Sequence, residues 1–227
     1  RQQLMIELPL SSLFETSVLS EFAARCQAQP PTLSAPTLRP MAQGQAGVLS
    51  YAQQRQWILW QLDPDSAAYT IPAALRLTGT LNRDALVRSF NDLQARHATL
   101  RTTFVQDGEQ ARGVVHASLP LDLRELTLAA PTQAEIQARV AEAMRQPFDL
   151  RHGPLLRVLL LTVGADEHVL VLTVHHIAAD GWSAQILKRD LARAYGDRLA
   201  RRSPAPEPAA RFIETALRIE RRRQHHE

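Results

Sequence analysis

The chain has 227 residues, of which 45% are hydrophobic and 22% charged, so it has the composition of a globular protein with a core and not that of a disordered tail. Its 26 basic and 23 acidic residues leave a formal net charge of +3, too little for the positive field that favours nucleic-acid binding. The single cysteine, Cys26, excludes a disulfide within the chain and is compatible with a reducing compartment. We therefore expect a cytoplasmic protein with no nucleic-acid partner.

The apolar runs of the chain are short. Two of them, residues 155–161 and 169–174, are separated by the polar segment 164–168, whereas a membrane-spanning helix needs roughly 18 or more uninterrupted apolar residues. We therefore expect a soluble protein without a membrane partner. The sequence begins at Arg1 with no methionine and no leader, which we interpret as an excised piece with parts missing at both ends.

Two kinds of sequence precede residue 48. In residues 1–26, Val18, Phe22 and Cys26 follow one another at helical spacing and predict one short amphipathic helix. Because so short a segment cannot bury a core of its own, we expect it to be the end of a domain whose beginning is missing. Residues 27–47 contain four prolines and two glycines without an apolar period, which predicts a semi-extended linker.

Residues 48–227 show the pattern of one mixed α/β domain without a second linker. Helices are predicted at residues 51–62, 83–97, 132–145, 183–199 and 209–223. Strands are predicted at residues 71–77, 100–105, 114–117, 155–163 and 168–175. Trp57 and Trp60, which are three apart on the first of these helices, are predicted to lie in the core.

The strongest candidate for a functional site is VHHIAADGWS at residues 174–183, where an apolar strand stops at two histidines and the chain turns through Asp-Gly into a helix. Side chains alternate across a strand, so His175 and His176 must point to opposite sides, and at most one of them faces a given cleft. Gly181 is expected to relieve the turn, and Ser183 is expected to cap the helix that follows.

A histidine at a strand end is suited to more than one task. An imidazole has a reference pKa of about 6.5, so near neutral pH it can serve as a general base or as a hydrogen-bonding partner of an amine or hydroxyl. The alternative from spacing alone is a buried histidine pair whose hydrogen bonds are satisfied in the core. A zinc site is disfavoured, because two adjacent histidines on opposite faces and one distant cysteine do not converge. A Gly-rich phosphate loop and a Gly-x-Ser-x-Gly elbow are both absent from the sequence.

Four segments carry a resemblance to a known family. They are SYAQQRQW at residues 50–57, RHATLRTTF at 96–104, HHIAADGWS at 175–183 and, more loosely, FIETA at 212–216. In this order they resemble the motifs of the condensation domain of nonribosomal peptide synthetases, in the chloramphenicol-acetyltransferase-like superfamily, and the third matches the signature His-His-x-x-x-Asp-Gly. Ala98 stands where the family usually has glutamate. The resemblance implies an α/β fold in which helices flank a mixed sheet.

The resemblance also implies an order of domains. Residues 48–227 correspond to the N-terminal lobe of a two-lobed condensation domain, whose C-terminal lobe is not in the sequence. Residues 1–26 resemble the end of a peptidyl carrier domain, whose phosphopantetheine-bearing serine would lie upstream of Arg1. Carrier remnant, linker at 27–47 and condensation lobe follow one another as at the boundary of an elongation module.

Carried over to this sequence, the family's signature assigns one catalytic residue. His176 would face the substrate channel and act on the acceptor amine, either as a base or as a hydrogen-bond anchor. His175, Asp180 and Gly181 would support the site, and Asp180 would pair with Arg101 of the second motif. The resemblance implies no metal and no cofactor bound by the lobe itself, because the substrates are presented on the 4'-phosphopantetheine of partner carrier domains.

The implied function is peptide-bond formation, in which an upstream carrier-bound acyl or peptidyl thioester is transferred to the amine of a downstream carrier-bound aminoacyl thioester. The expected partners are both carrier domains, the C-terminal lobe and an adenylation domain, and the chain alone is expected to be inactive. Residues 59–69 lack the extra histidine pair typical of dual epimerising relatives, which suggests an L-configured donor. The alternatives are an epimerisation domain or free-standing acyltransferase of the same fold, and a non-catalytic platform that recruits carrier domains.

Overall fold

A computed structural model describes residues 14–16, 18–28 and 46–203 of the chain. The chain divides into two compact units, one ending at Arg39 and the other beginning at Pro40. The division falls within the predicted linker, most of which lies outside the described residues, as does the helix predicted at residues 209–223 together with the fourth motif.

The described part of the first unit is one helix and the few residues before it. This helix, α1, spans Leu19–Ala28, as its apolar spacing predicts. Arg25 near its end forms an ion pair with Glu15 at 3.2 Å and donates a hydrogen bond to Thr16. None of the α1 residues is buried, so these residues form no core of their own. Its identity as the end of a carrier domain stays a prediction.

The second unit contains helices and strands in alternation. Its helices within the described residues are α2 (Tyr51–Leu62), α3 (Arg83–Arg96), α4 (Gln133–Met144) and α5 (Gly181–Leu199), with a 3₁₀ turn at Ala98–Arg101. Its strands are β1 (Ala46–Val48), β2 (Thr70–Thr78), β3 (Thr102–Asp107), β4 (Gln110–Val115), β5 (Asp122–Thr127), β6 (Leu156–Gly164) and β7 (Glu167–His175). Among the described helices, none is both long enough and apolar enough to cross a membrane.

The strands form two sheets. The larger has the order β2-β7-β6-β5, in which β6 is antiparallel to β7 and parallel to β5. A parallel pair needs a crossover connection, and α4 supplies it between β5 and β6. The smaller sheet, β1-β4-β3, is antiparallel throughout, and its β3–β4 hairpin turns at Gly108, whose φ of +60° favours glycine. The predicted α/β class, with helices flanking a mixed sheet, is confirmed. The smaller second sheet was not predicted.

The larger sheet is covered on both faces. The face that carries Leu172 and Val174 of β7 packs with α3 and α5, whereas Val169 and Val171 point the other way and pack with Ile136 of α4. A strand buried on both faces needs apolar side chains at successive positions. This explains why β7 is a continuous apolar run in the sequence.

The two tryptophans of α2 lie in the core, as predicted. Their rings stack with a centroid distance of 5.1 Å, and they pack with Phe104 and Phe148. Each indole nitrogen also has a partner: Trp60 Nε1 donates to the carbonyl of Phe148, and Trp57 Nε1 donates to Gln106. This cluster attaches the start of the second unit to the segment that leads into β6.

Two predicted strands differ from the observed ones. The strand predicted at residues 100–105 begins only at Thr102, because the preceding residues form the 3₁₀ turn and Thr102 Oγ1 donates to the carbonyl of Ala98 at 2.8 Å. The strand predicted at 114–117 is the end of β4, which starts earlier because it pairs with β3 across the tight turn. The strands β1 and β5 were not predicted, whereas the other predicted helices and strands of the described part lie within one or two residues of their predicted bounds.

Candidate functional site

The end of β7 separates the two adjacent histidines. The backbone N–H of His175 donates to Leu155 at 3.1 Å, and that of His176 donates to Tyr69 at 2.8 Å, so the strand end is held from both neighbouring segments. Side chains alternate along this strand. His176, the first residue after β7, lies beside the end of α3 and the first half of α5, whereas the ring of His175 lies against Phe148.

His175 belongs to the core. Its side chain is 2% exposed and lies edge-on to the ring of Phe148, at a centroid distance of 5.8 Å. Its Nδ1 accepts a hydrogen bond from the backbone N–H of Ile177 at 3.1 Å, which shapes the turn after the strand. Burial, with a smaller contribution from the charge of His176, lowers the pKa of His175 to about 4. His175 is thus a neutral imidazole at neutral pH.

His176 is exposed and lines a cleft of about 760 Å³. The cleft lies where five parts of the chain meet: the first turns of α2, Tyr69 just before β2, the end of α3 with the 3₁₀ turn, the loop after β7 and the first half of α5. These parts contain residues of the SYAQQRQW, RHATLRTTF and HHIAADGWS segments. The fold therefore brings the three described motifs to one cleft, with His176 among its lining residues.

Asp180 caps α5, which was not the expected arrangement. Its carboxylate accepts hydrogen bonds from the backbone N–H and the hydroxyl of Ser183, at 2.7 and 2.6 Å. The expectation that Ser183 caps the helix is wrong, because Ser183 already lies in the first turn, where it donates to the cap. Gly181 is the first residue of α5 and does not adopt the left-handed region, and an added Cβ would meet no neighbour. The expectation that Gly181 relieves a strained turn is therefore also wrong.

Arg101 does not line the cleft. Its side chain is 3% exposed, and it donates hydrogen bonds to the carbonyls of His116, at 2.6 Å, and of Ala95, at 3.4 Å. It thereby connects the end of α3 to the segment after β4. The expected pair with Asp180 is not formed in the described structure, because the carboxylate of Asp180 is engaged at the start of α5.

The charge of Asp180 nevertheless reaches the cleft. The side-chain and backbone hydrogen bonds from Ser183 lower the pKa of Asp180, and the nearby charge of His176 lowers it further. The carboxylate is therefore ionised at neutral pH and lies within electrostatic range of the exposed imidazole.

Gln53 is a supporting residue that the sequence did not single out. Its Oε1 accepts from the backbone N–H of Ser50, which completes a reciprocal cap at the start of α2. Its Nε2 donates to the carbonyl of Ile177 at 3.4 Å. The first motif thus connects the start of α2 to the turn that presents His176. The Ser-x-x-Gln spacing is a detectable capping signal, but the contact with residue 177 is not.

A charged cluster on the cleft wall was also missed. Asp190 of α5 accepts hydrogen bonds from Arg96 and His97 at 3.0 Å and from Arg189 at 3.3 Å. The sequence contains a sign of this cluster, because a carboxylate stands on the apolar stripe of α5: Asp190 lies three residues after Leu187 and one before Leu191.

Within the described residues, no three His, Cys, Asp or Glu side chains are placed to hold a metal ion. The chemistry that this part of the chain offers at the cleft comes from an exposed imidazole, an ionised carboxylate, and the arginines and histidine around Asp190.

Comparisons with known proteins identify relatives of the second unit. A family model described as "Condensation domain" matches residues 43–227. The chain is 42% identical over 181 residues to chondramide synthase of Chondromyces crocatus, a match that covers 78% of this chain and 5% of that protein. It is 36% identical over 219 residues to a dimodular nonribosomal peptide synthase of Bacillus subtilis, a match that covers 96% of this chain and 9% of that protein. The chain thus spans less than a tenth of the length of each of these two relatives.

Two solved structures show the same fold. The X-domain in its complex with OxyB from teicoplanin biosynthesis is 34% identical, with a TM-score of 0.76 over 86% of this chain and 42% of that one. The first condensation domain of the calcium-dependent antibiotic synthetase, in complex with a substrate analogue, is 26% identical, with a TM-score of 0.71 over 79% of this chain and 44% of that one. The chain covers less than half of each of these two structures.

Proposed function

The chain belongs to the condensation-domain family, and from this premise we propose that it takes part in peptide-bond formation by a nonribosomal peptide synthetase. The acyl or peptidyl group of an upstream carrier-bound thioester is transferred to the amine of a downstream carrier-bound aminoacyl thioester. The carbonyl carbon exchanges its bond to sulfur for a bond to nitrogen, the upstream thiol leaves, and the amine gives up a proton. Both substrates arrive on the 4'-phosphopantetheine arms of the carrier domains.

One observation carries the proposal: His176 lines the cleft and is exposed, whereas its neighbour His175 is buried in the core. An exposed imidazole can accept the proton of the attacking amine or hold the amine by a hydrogen bond. An α-amine has a reference pKa of about 7.7–8.0, and the thioester is already activated, so holding the two ends in attack geometry contributes more than proton removal.

The remaining residues of the signature support His176. His175 shapes the turn through its bond to Ile177, and the ionised Asp180 fixes the start of α5 next to the imidazole. In this proposal Asp180 stabilises positive charge that develops on His176 as the amine loses its proton. Arg101 and Gly181 act only through the fold.

The proposed reaction requires partners outside this chain. They are the upstream and downstream carrier domains, the C-terminal lobe of the condensation domain and an adenylation domain that supplies the aminoacyl group. We expect the 227-residue chain alone to form no product, because the substrate channel of the family lies between two lobes.

A second candidate function is supported by one comparison. The X-domain relative was solved in complex with OxyB, so a domain of this fold can be a binding platform for another protein. In this alternative the cleft of our chain recruits a partner and His176 takes no part in a reaction. An epimerisation domain or a free-standing acyltransferase of the same fold are further alternatives, which the intact downstream sequence would distinguish.

Product analysis separates the proposed function from the platform. In the full-length natural protein that carries this sequence, both carriers are loaded and the downstream carrier is analysed by mass spectrometry. We expect an amide-joined product on the downstream carrier of the wild type and none when the upstream carrier is left unloaded. A protein that retains both loaded carriers but never shows the joined product would contradict condensation and favour the platform.

A finer proposal concerns the donor. Residues 59–69 contain no histidine, unlike the region of dual epimerising relatives, and we propose that the donor is L-configured. With the upstream carrier loaded chemically with either enantiomer of the same aminoacyl group, we expect the L-donor to react at least about ten-fold faster, a difference of about 1.4 kcal/mol in the barrier. Equal rates, or a preference for the D-donor, would remove the proposal.

A further inference from the structure

One carboxylate and the three side chains around it line the same cleft as His176. They are Asp190, Arg96, His97 and Arg189. Asp190 is 8% exposed, and its Oδ2 accepts from Arg96 Nε and from His97 Nε2, each at 3.0 Å. Its Oδ1 accepts from Arg189 at 3.3 Å. A buried carboxylate is stable only when it is hydrogen-bonded, and these three donors meet that need.

The charges of the cluster are defined at neutral pH. Burial alone would raise the pKa of Asp190, but the hydrogen bonds from Arg96, His97 and Arg189 outweigh it and lower that pKa. Burial lowers the pKa of His97 more strongly than the bond to Asp190 raises it. His97 is therefore a neutral donor, and Asp190 is an anion between two guanidinium groups.

The cluster joins the two helices that bound the cleft. Arg96 is the last residue of α3 and His97 is its C-cap, whereas Asp190 lies in α5, which begins after the cap residue Asp180 beside His176. At 1.5 Å per residue, Asp190 lies about 15 Å along the helix from that cap. The contact at Asp190 therefore sets how far the first half of α5 lies from the end of α3.

A second ion pair joins the same helices away from the cleft. Arg198 donates to both oxygens of Asp92, at 2.6 and 2.5 Å, and the carboxylate of Asp92 is 13% exposed. Neither residue lines the cleft. The packing of α3 against α5 thus has one charged contact that lines the cleft and one that does not. A role in positioning the cleft can therefore be compared with a role in holding the helices together.

We propose that Asp190 is a positioning residue for the condensation reaction: by gathering Arg96, His97 and Arg189 on one carboxylate, it fixes the width of the cleft in which His176 meets the acceptor amine. This inference rests on the proposed function. Misplacement of reacting groups by about 1 Å costs about 100-fold in rate, so a small shift of α5 is sufficient to slow the reaction.

The test compares Asp190→Asn with the matched control Asp92→Asn in the full-length natural protein. Each change removes one negative charge between α3 and α5. We expect Asp190→Asn to lower kcat about 10- to 100-fold at saturating loaded downstream carrier, with its KM unchanged, and Asp92→Asn to stay within about twofold of the wild type. His97→Ala removes one of the three donors to Asp190 and is expected to lower kcat by a smaller factor than Asp190→Asn. It replaces Asp190→Asn in the test if that variant does not fold.

The outcomes separate the inference from the proposed function. If His176→Ala abolishes product formation but Asp190→Asn and His97→Ala behave like Asp92→Asn, the positioning role is overturned and the proposed function stands. A fall in kcat that only follows the loss of folded protein, measured by circular dichroism, also overturns it. If His176→Ala leaves product formation unchanged, the proposed function fails and the inference fails with it.

Discussion

Replacing His176 by alanine is expected to reduce the turnover of condensation by about 10²- to 10⁴-fold in the full-length natural protein, the range typical for loss of a general acid or base. Folding should be unaffected, because the side chain is exposed and its backbone hydrogen bond to Tyr69 does not depend on the imidazole. The measurement is the rate at which joined product appears on the downstream carrier when both carriers are fully loaded.

His152→Ala is the matched control. His152 is also an exposed histidine, with its side chain 81% exposed and hydrogen-bonded to Asp149, and it does not line the cleft. Its replacement should leave turnover within about twofold of the wild type, as surface substitutions usually do. If His176→Ala and His152→Ala had equal, small effects, His176 would have no part in the reaction and the platform function would be favoured.

His176→Gln separates the two roles of the imidazole. Glutamine keeps a hydrogen-bonding group near the amine but cannot take up a proton at neutral pH. If positioning dominates, His176→Gln should turn over at least about ten-fold faster than His176→Ala, a recovery of about 1.4 kcal/mol of the barrier. If proton removal dominates, both variants should be equally slow.

The second large effect is expected from His175 and concerns stability in acid. An unfolded histidine has a pKa of about 6.5, whereas burial holds that of folded His175 at about 4. Between these values the unfolded chain binds more protons, so the free energy of unfolding falls as the pH falls. The contribution is fully present above about pH 6.5 and is lost progressively toward pH 4, by about 3 kcal/mol in all.

His175→Asn tests this contribution by urea unfolding of the 227-residue chain across that pH range. Asparagine places an oxygen close to the position of Nδ1, so it can still accept from the N–H of Ile177, but it does not titrate. We expect the variant to be less stable than the wild type at pH 7 and to lose about 3 kcal/mol less on acidification. Equal pH dependence of the two proteins would show that His175 does not carry the acid sensitivity.

Local patterns in the sequence predicted most of the fold. The apolar periods placed α2 and β7 to within a residue, and the alternation of strand side chains predicted that His175 and His176 would separate. The strand β5 was missed because it pairs only with β6 and is mostly exposed, so it shows no apolar alternation. The short β1 falls at the end of a segment rich in proline and glycine, which masks its pattern.

The candidate site was predictable only where it depends on local sequence. The position of His176 follows from its own strand, whereas the cluster at Asp190 depends on residues 93 and 94 positions apart that meet only through helix packing. The cap at Asp180 was misassigned because Asp and Ser are both good N-cap residues and the helix boundary decides between them. The expected contact of Asp180 with Arg101 came from the resemblance, and the two side chains have nearer partners in this chain.

The pairing of β7 with a strand on each side constrains how this sequence can vary. Each of the two ladders spans nearly the whole of β7: the ladder with β2 ends at His175, and the ladder with β6 ends at Val174. Insertion or deletion of a single residue within β7 would exchange the faces of the strand side chains that follow it, turning the ring of His176 toward the interior and the ring of His175 toward the cleft. The length of β7 therefore matters more for the cleft than its exact composition, because different apolar residues can fill its positions while only one count of residues brings the imidazole of His176 to the cleft.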